Sequence, residues 1–108
     1  MEGTERFHYG VDLAADTGTA IACFADGTVT AVGESSSYGK YCTVTHANGC
    51  TTLYAHCGRI SVSSGAAVKK GEKLGEVGET GMATGPHLHF ELQKDGVYLN
   101  PIYYVETA

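Results

Sequence analysis

Apolar and polar residues alternate in short runs along most of the chain, and no window of a dozen residues keeps apolar positions at helical three-and-four spacing between capping signals. What recurs is strand, turn, strand. "TAIACFADGTVTAVG" (19–33) predicts two strands joined as a hairpin at Asp26-Gly27. "YCTVTHANGCTTLYAH" (41–56) predicts two more around Asn48-Gly49, and "HFELQKDGVYL" (89–99) another pair around Asp95-Gly96. Between the second and third pairs, "RISVSSGAAVKKGEKLGEVGETG" (59–81) breaks short apolar pairs with Gly65, Gly71, Gly75 and Gly78, as expected of short strands linked by tight turns. The tail "NPIYYV" (100–105) opens on an Asn-Pro turn signal, and its apolar residues are expected to pack against the sheet. The pattern as a whole predicts an all-β domain, a sandwich or partly closed barrel of antiparallel strands.

Length and composition narrow this picture. A chain of 108 residues is one domain by size. Residues 1–108 are therefore taken as a single unit, with 1–6 as a linker or an artificial start and a longer natural protein left open. Fifteen glycines suit a chain of many turns. Seven Lys and Arg against twelve Asp and Glu give a formal charge of -5, with no basic run of the kind that tracks phosphates, which argues against nucleic acid as a partner. No apolar run approaches the roughly 20 residues of a membrane span, and the first ten residues lack the apolar core of a signal peptide. A monomer is expected. Cys23, Cys42, Cys50 and Cys57 show no C-x-x-C spacing and lie in strand-like runs. They read as small buried hydrophobes, with disulfides in one of three pairings as the alternative.

Candidate chemistry comes from five histidines. His8 is followed four residues later by Asp12, and a turn at Gly10 would let both reach one ion. His56 ends "TTLYAH", where strict alternation sends it to the same side as Tyr54. In "GPHLHFEL" (85–92), Leu88, Phe90 and Leu92 form the apolar face of a strand, while His87 and His89 project together from the other, about 6–7 Å apart at the backbone. Hydrolytic zinc sites use three N, O or S ligands and leave a position open for water. Two His and one Asp suffice, and the remaining histidines could move protons or face an oxyanion. The absence of H-E-x-x-H excludes a helical site of that type. Other residues have quieter readings. His46 is expected to bond nearby backbone, Asp16, Asp26 and Asp95 belong to turns, and Glu91, on the face of His87 and His89, is read as solvated sooner than as an orienting partner.

The segments "FHYGVDL", "GTAIACFADGTVTAVG", "YGKYCTVTHANGCTTLYAH", "VKKGEKLGEVGETGMATGPHLHFEL" and "NPIYYV" run in family order over nearly the whole chain. They resemble the lysostaphin-like zinc endopeptidases of bacterial cell walls, the M23 or LytM-type peptidases. H-x-x-x-D, Y-A-H and G-P-H-L-H-F are the elements that carry the likeness. Ala20 stands where the family usually has Pro, and Cys57 where it has Leu. The resemblance implies a lysostaphin-like antiparallel sheet of the duplicated hybrid motif type with a long substrate groove. It also implies a Zn2+ cofactor held by His8, Asp12 and His89, with His56 and His87 as a catalytic pair. The implied substrate is a peptide bond in the stem or cross-bridge of peptidoglycan, cleaved outside the cell or in its envelope. Two rivals are weighed beside this reading. One is a non-catalytic wall-binding or hydrolase-regulating module of the same fold, which should lack the metal residues. The other is a carrier hairpin of the lipoyl type, suggested by "VKKGEKLGEVGETG", which leaves His8, Asp12 and the H-x-H pair unexplained.

Overall fold

The computed structural model describes residues 11–81, 85–94 and 97–99. The strands are β1 (Val11–Ala14), β2 (Ala20–Ala22), β3 (Gly27–Ser35), β4 (Gly39–His46), β5 (Cys50–Ile60), β6 (Ala67–Val68), β7 (Lys73–Val77), β8 (His87–Lys94) and β9 (Val97–Leu99). They form one antiparallel sheet in the order β1-β8-β5-β4-β3-β6, with β9 also on β8 and β7 bridging β5 to β2. Among the described residues the sole helical element is a 3-10 turn at Ala47–Gly49. The all-β expectation holds.

Two of the three predicted hairpins form as read. β4 and β5 pair across Asn48-Gly49 (Thr45 opposite Thr51), and β8 and β9 pair across Asp95-Gly96 (Lys94 opposite Val97). The hairpin at Asp26-Gly27 does not form. β2 pairs with β7, whereas β3 pairs with β4 and β6. Asp26 explains the difference. Its Oδ1 accepts the Lys70 N–H (2.7 Å) and its main-chain O accepts Nδ1–H of His46 (2.9 Å), so the turn is tied to two other parts of the chain and does not close on its own strands. The same bond fulfils the backbone role expected of His46. The tail 100–105 lies outside the described residues.

Alternation along β8 decides which side of the sheet does what. Phe90 and Leu92 are buried with Ile21, Val29, Val44, Tyr54, Leu74 and Val77 in the core, where Phe90 packs on Tyr54 and Phe24 at ring separations of 5.4 and 5.7 Å. Cys23, Cys42 and Cys57 belong to that core as the buried-hydrophobe reading expects, whereas Cys50, at the start of β5, is only half-buried; all four are free thiols. His87, His89 and Glu91 occupy the opposite face by alternation.

Candidate active site

The register of the sheet brings the candidate residues together. Asp12 on β1 is directly opposite His89 on β8, and His89 is in turn opposite Ala55 on β5, one residue before His56. The result is a compact cluster. Asp12 Oδ1 lies 2.8 Å from His89 Nδ1 and 3.7 Å from His87 Nε2. The His56 ring is 4.9 Å from that of His87 and 6.1 Å from that of His89. His8 lies outside the described residues. Among those residues no further His, Cys, Asp or Glu joins Asp12 and His89 in a metal-binding group of three.

His56 reaches this cluster by a route that alternation does not foresee. Strict alternation would carry it to the core face beside Tyr54. Instead the β4–β5 pairing slips between Lys40 and Cys42, so that four residues, Tyr54 to Cys57, span three on the partner, and His56 adopts φ +62°. This is a β-bulge with a non-glycine residue in the left-handed region. It turns the imidazole to the side of His87 and His89. Backbone bonds fix the kink: His56 N–H donates to Tyr38 O (2.8 Å), and Gly78 N–H donates to His56 O (3.1 Å).

Each ring has a defined partner. His56 Nδ1–H donates to Thr80 O (2.7 Å) and His87 Nδ1–H to Gly85 O (2.9 Å), so that Nε2 of each ring is the nitrogen left to take up or give a proton. His87 Nε2 is buried with no hydrogen-bond partner among the described residues. Burial is the main influence on His56 and holds its pKa below the ordinary histidine value, with the neighbouring His87 and His89 acting in the same direction. His89 is the opposite case. Burial disfavours its charged form, but the hydrogen bonds it donates to Glu91 and Asp12 outweigh burial and raise its pKa.

Glu91 is not solvated, which corrects the sequence reading. It is 3% exposed, and its Oε2 accepts from His89 Nε2 (2.9 Å) and from the Tyr38 hydroxyl (2.6 Å). His89 therefore has a carboxylate oxygen at each ring nitrogen. Two acceptors can both be satisfied by a neutral imidazole only if a cation replaces the second proton. The donor set thus fits a divalent ion at Nδ1 beside Asp12, with Nε2–H kept on Glu91. Tyr38 and Glu91 are the site residues that sequence reasoning missed. Position on the histidine face was the signal for Glu91, whereas nothing in "SSSYGK" pointed to Tyr38. An apolar cavity of about 490 Å3, lined by residues including Leu13, Phe24, Leu88 and Phe90, lies on the far side of the sheet from this cluster.

The model of Peptidase family M23 matches residues 6–101. DD-carboxypeptidase/endopeptidase Mpg of Neisseria meningitidis is 46% identical over 99 residues, 92% of this chain and 23% of that protein. Peptidoglycan DD-endopeptidase ShyC of Vibrio cholerae is 40% identical over 105 residues, 94% of this chain and 23% of its own length. Among solved structures, a zinc containing peptidase from Vibrio cholerae superposes with a TM-score of 0.83 at 35% identity, covering 86% of this chain and 29% of that one. The chain spans about a quarter of the length of the curated relatives it matches. With the family model matched over most of its length, the chain belongs to peptidase family M23.

Proposed function

We propose that this chain is the peptidase unit of a zinc-dependent endopeptidase that hydrolyses peptide bonds in the stem peptides or cross-bridges of peptidoglycan. One observation carries the reading: the His89 imidazole is held between two carboxylates, with two further imidazoles packed beside it. The name of the Vibrio relative supports the substrate class, and that of the zinc containing peptidase supports the metal. Since peptidoglycan lies outside the cytoplasmic membrane, the reading puts the protein in the cell envelope or outside the cell.

His8, Asp12 and His89 would hold the zinc ion. When bound, zinc supplies a water acidified toward a pKa of about 7 and polarises the scissile carbonyl. The chain's own groups then manage protons. His56, kept neutral by burial, accepts the proton of the attacking water at Nε2 and returns it to the departing amine nitrogen. His87, when its Nε2 carries a proton, donates a hydrogen bond to the oxyanion. Water is thereby split between the carbonyl carbon and the amine, and both imidazoles end as they began.

The test measures zinc content and peptide release from purified peptidoglycan for the parent protein, His89→Ala and His56→Ala. Loss of both zinc and cleavage is expected in His89→Ala. His56→Ala should keep its zinc and lose about 10²–10⁴-fold in rate. Zinc bound by the parent without cleavage of any of several wall types would overturn the hydrolase reading.

A further inference from the structure

The roles given to His8, Asp12, His56, His87 and His89 leave a buried acid and a half-buried phenol on the same face without a task. Glu91 is two residues beyond His89 on β8, 3% exposed, on a face where a carboxylate needs donors to be tolerated. Its Oε2 has two: His89 Nε2 at 2.9 Å and the Tyr38 hydroxyl at 2.6 Å. Tyr38 comes from the turn between β3 and β4, and its ring stacks on His89 with the centroids 5.9 Å apart and the planes 25° apart. Its main-chain carbonyl accepts the N–H of His56 at the bulge. A single residue thus touches the ring and the orienting acid of His89 and anchors the backbone of His56.

Hydrogen-bond direction makes this arrangement specific. A phenol at 2.6 Å from a carboxylate oxygen donates to it. The same oxygen can take part with His89 Nε2 only by accepting N–H. Glu91 consequently keeps a proton on Nε2 of His89, so that the proton on Nδ1, the nitrogen that faces Asp12 at 2.8 Å, is the one a bound cation would displace. A cation at Nε2 would instead have to displace the proton shared with the more deeply buried carboxylate. We propose that Glu91 and Tyr38 are positioning residues that fix the tautomer and ring plane of His89 and so set the metal affinity of the site, an inference that rests on the zinc reading above. Glu91 does this through charge and hydrogen bonding. Tyr38 acts on Glu91 through its hydroxyl and on the ring plane through its face.

The experiment compares the zinc-loaded parent protein with Glu91→Gln, Tyr38→Phe and His89→Ala. It uses competition against a chromophoric chelator for the zinc dissociation constant, and histidine-selective 15N NMR for the protonated nitrogen of His89. The parent should show His89 protonated at Nε2 in slow exchange. Glu91→Gln should weaken zinc binding about 10–100-fold, the range typical of partners that orient a ligating histidine. Tyr38→Phe keeps the ring and loses only the hydroxyl that shares Glu91 Oε2, so a smaller loss and a shifted Nε2 proton resonance are expected. A merely structural role for either residue would lower the melting temperature without moving the Nε2 proton. Parent-like zinc affinity and an unchanged His89 resonance in folded Glu91→Gln and Tyr38→Phe would overturn the inference while leaving the zinc site standing. A parent protein that binds no zinc would instead overturn the function proposed above. Should Glu91→Gln fail to fold, Tyr38→Phe carries the test through the same two readouts.

Discussion

His56 occupies φ +62°, a conformation that places the Cβ of an L residue against its own backbone and costs about 1–2 kcal/mol relative to glycine. Glycine marks such positions in most chains, and its absence here is why the bulge could not be read from "TTLYAH". The side chain is kept at that cost because only an imidazole in this place stands 4.9 Å from His87. Such strain at a chemical centre has a measurable signature. His56→Gly should be more stable than His56→Ala by about 1 kcal/mol, since both lack the ring and only alanine keeps the steric conflict. Both should lose cleavage to the same extent. Urea midpoints and peptide release from the wall measured on the two variants check this, and equal stability would mean that the backbone relaxes once the ring is gone. Legibility at this scale was uneven. The types and order of the histidines pointed to the cluster. The partners that fix their tautomers, Thr80 O, Gly85 O and Glu91 Oε2, come from backbone carbonyls and from an acid that looked solvated.

The bulge on β5 is gripped between two neighbouring segments, the turn before β4 and the stretch after β7. Lys40 N–H donates to Thr80 Oγ1 (2.9 Å), and Thr80 Oγ1–H donates to Cys57 O (2.6 Å), while Thr80 O holds His56 Nδ1. The two segments meet at Gly39 and Gly81, where the backbones are so close that a methyl on Gly39 would run into the Thr80 carbonyl carbon and Gly81 N. Gly39 is at φ +65° and Gly65, in the turn before β6, at φ +93°, yet nothing lies within 4 Å of where a Cβ on Gly65 would be. The pair separates backbone strain from contact. Gly65→Ala is expected to cost about 1–2 kcal/mol for its dihedral alone. Gly39→Ala should cost clearly more, and should also slow cleavage, because moving Thr80 withdraws the acceptor that sets His56. Equal midpoint shifts for the two variants in denaturant would show that the clasp gives way freely. Strands, their alternation and two of the hairpins were legible in the chain because those signals are local. The partner of β2 and the clasp at Thr80 were not, since each depends on residues 24 to 56 positions apart.

At the scale of the whole molecule the sheet separates two chemical environments, a cluster of imidazoles and carboxylates on one face and a core holding three thiols and a phenol on the other. The core side makes stability depend on alkaline pH. Burial is the leading cause that pushes Cys42 up to about 12, with Cys57 and Cys23 adding to it, and burial likewise pushes Cys57 up to about 11, against an ordinary value of 9.0 for each. The Tyr54 phenol is raised by burial in the same direction. A group whose folded pKa lies above its unfolded one contributes its full stability below the unfolded value and loses it as pH rises toward the folded value. Below pH 9 the thiols are protonated in both states, so they give no slope. Between pH 9 and 11–12 the unfolded chain releases protons that the folded chain retains, and the equilibrium moves toward unfolding. Each pKa unit corresponds to about 1.4 kcal/mol, so the two thiols together amount to several kcal/mol, to order of magnitude. The contrast between parent and variant isolates the thiol. Urea midpoints should agree at pH 7 and 8 and fall steeply by pH 10.5 in the parent. Cys42→Ala, less stable at neutral pH because it removes buried volume, should show a shallower fall over the same interval. Parallel slopes in parent and variant would mean that the core admits a thiolate at Cys42, and that this face of the sheet is open to water in a way its 1% exposure does not suggest.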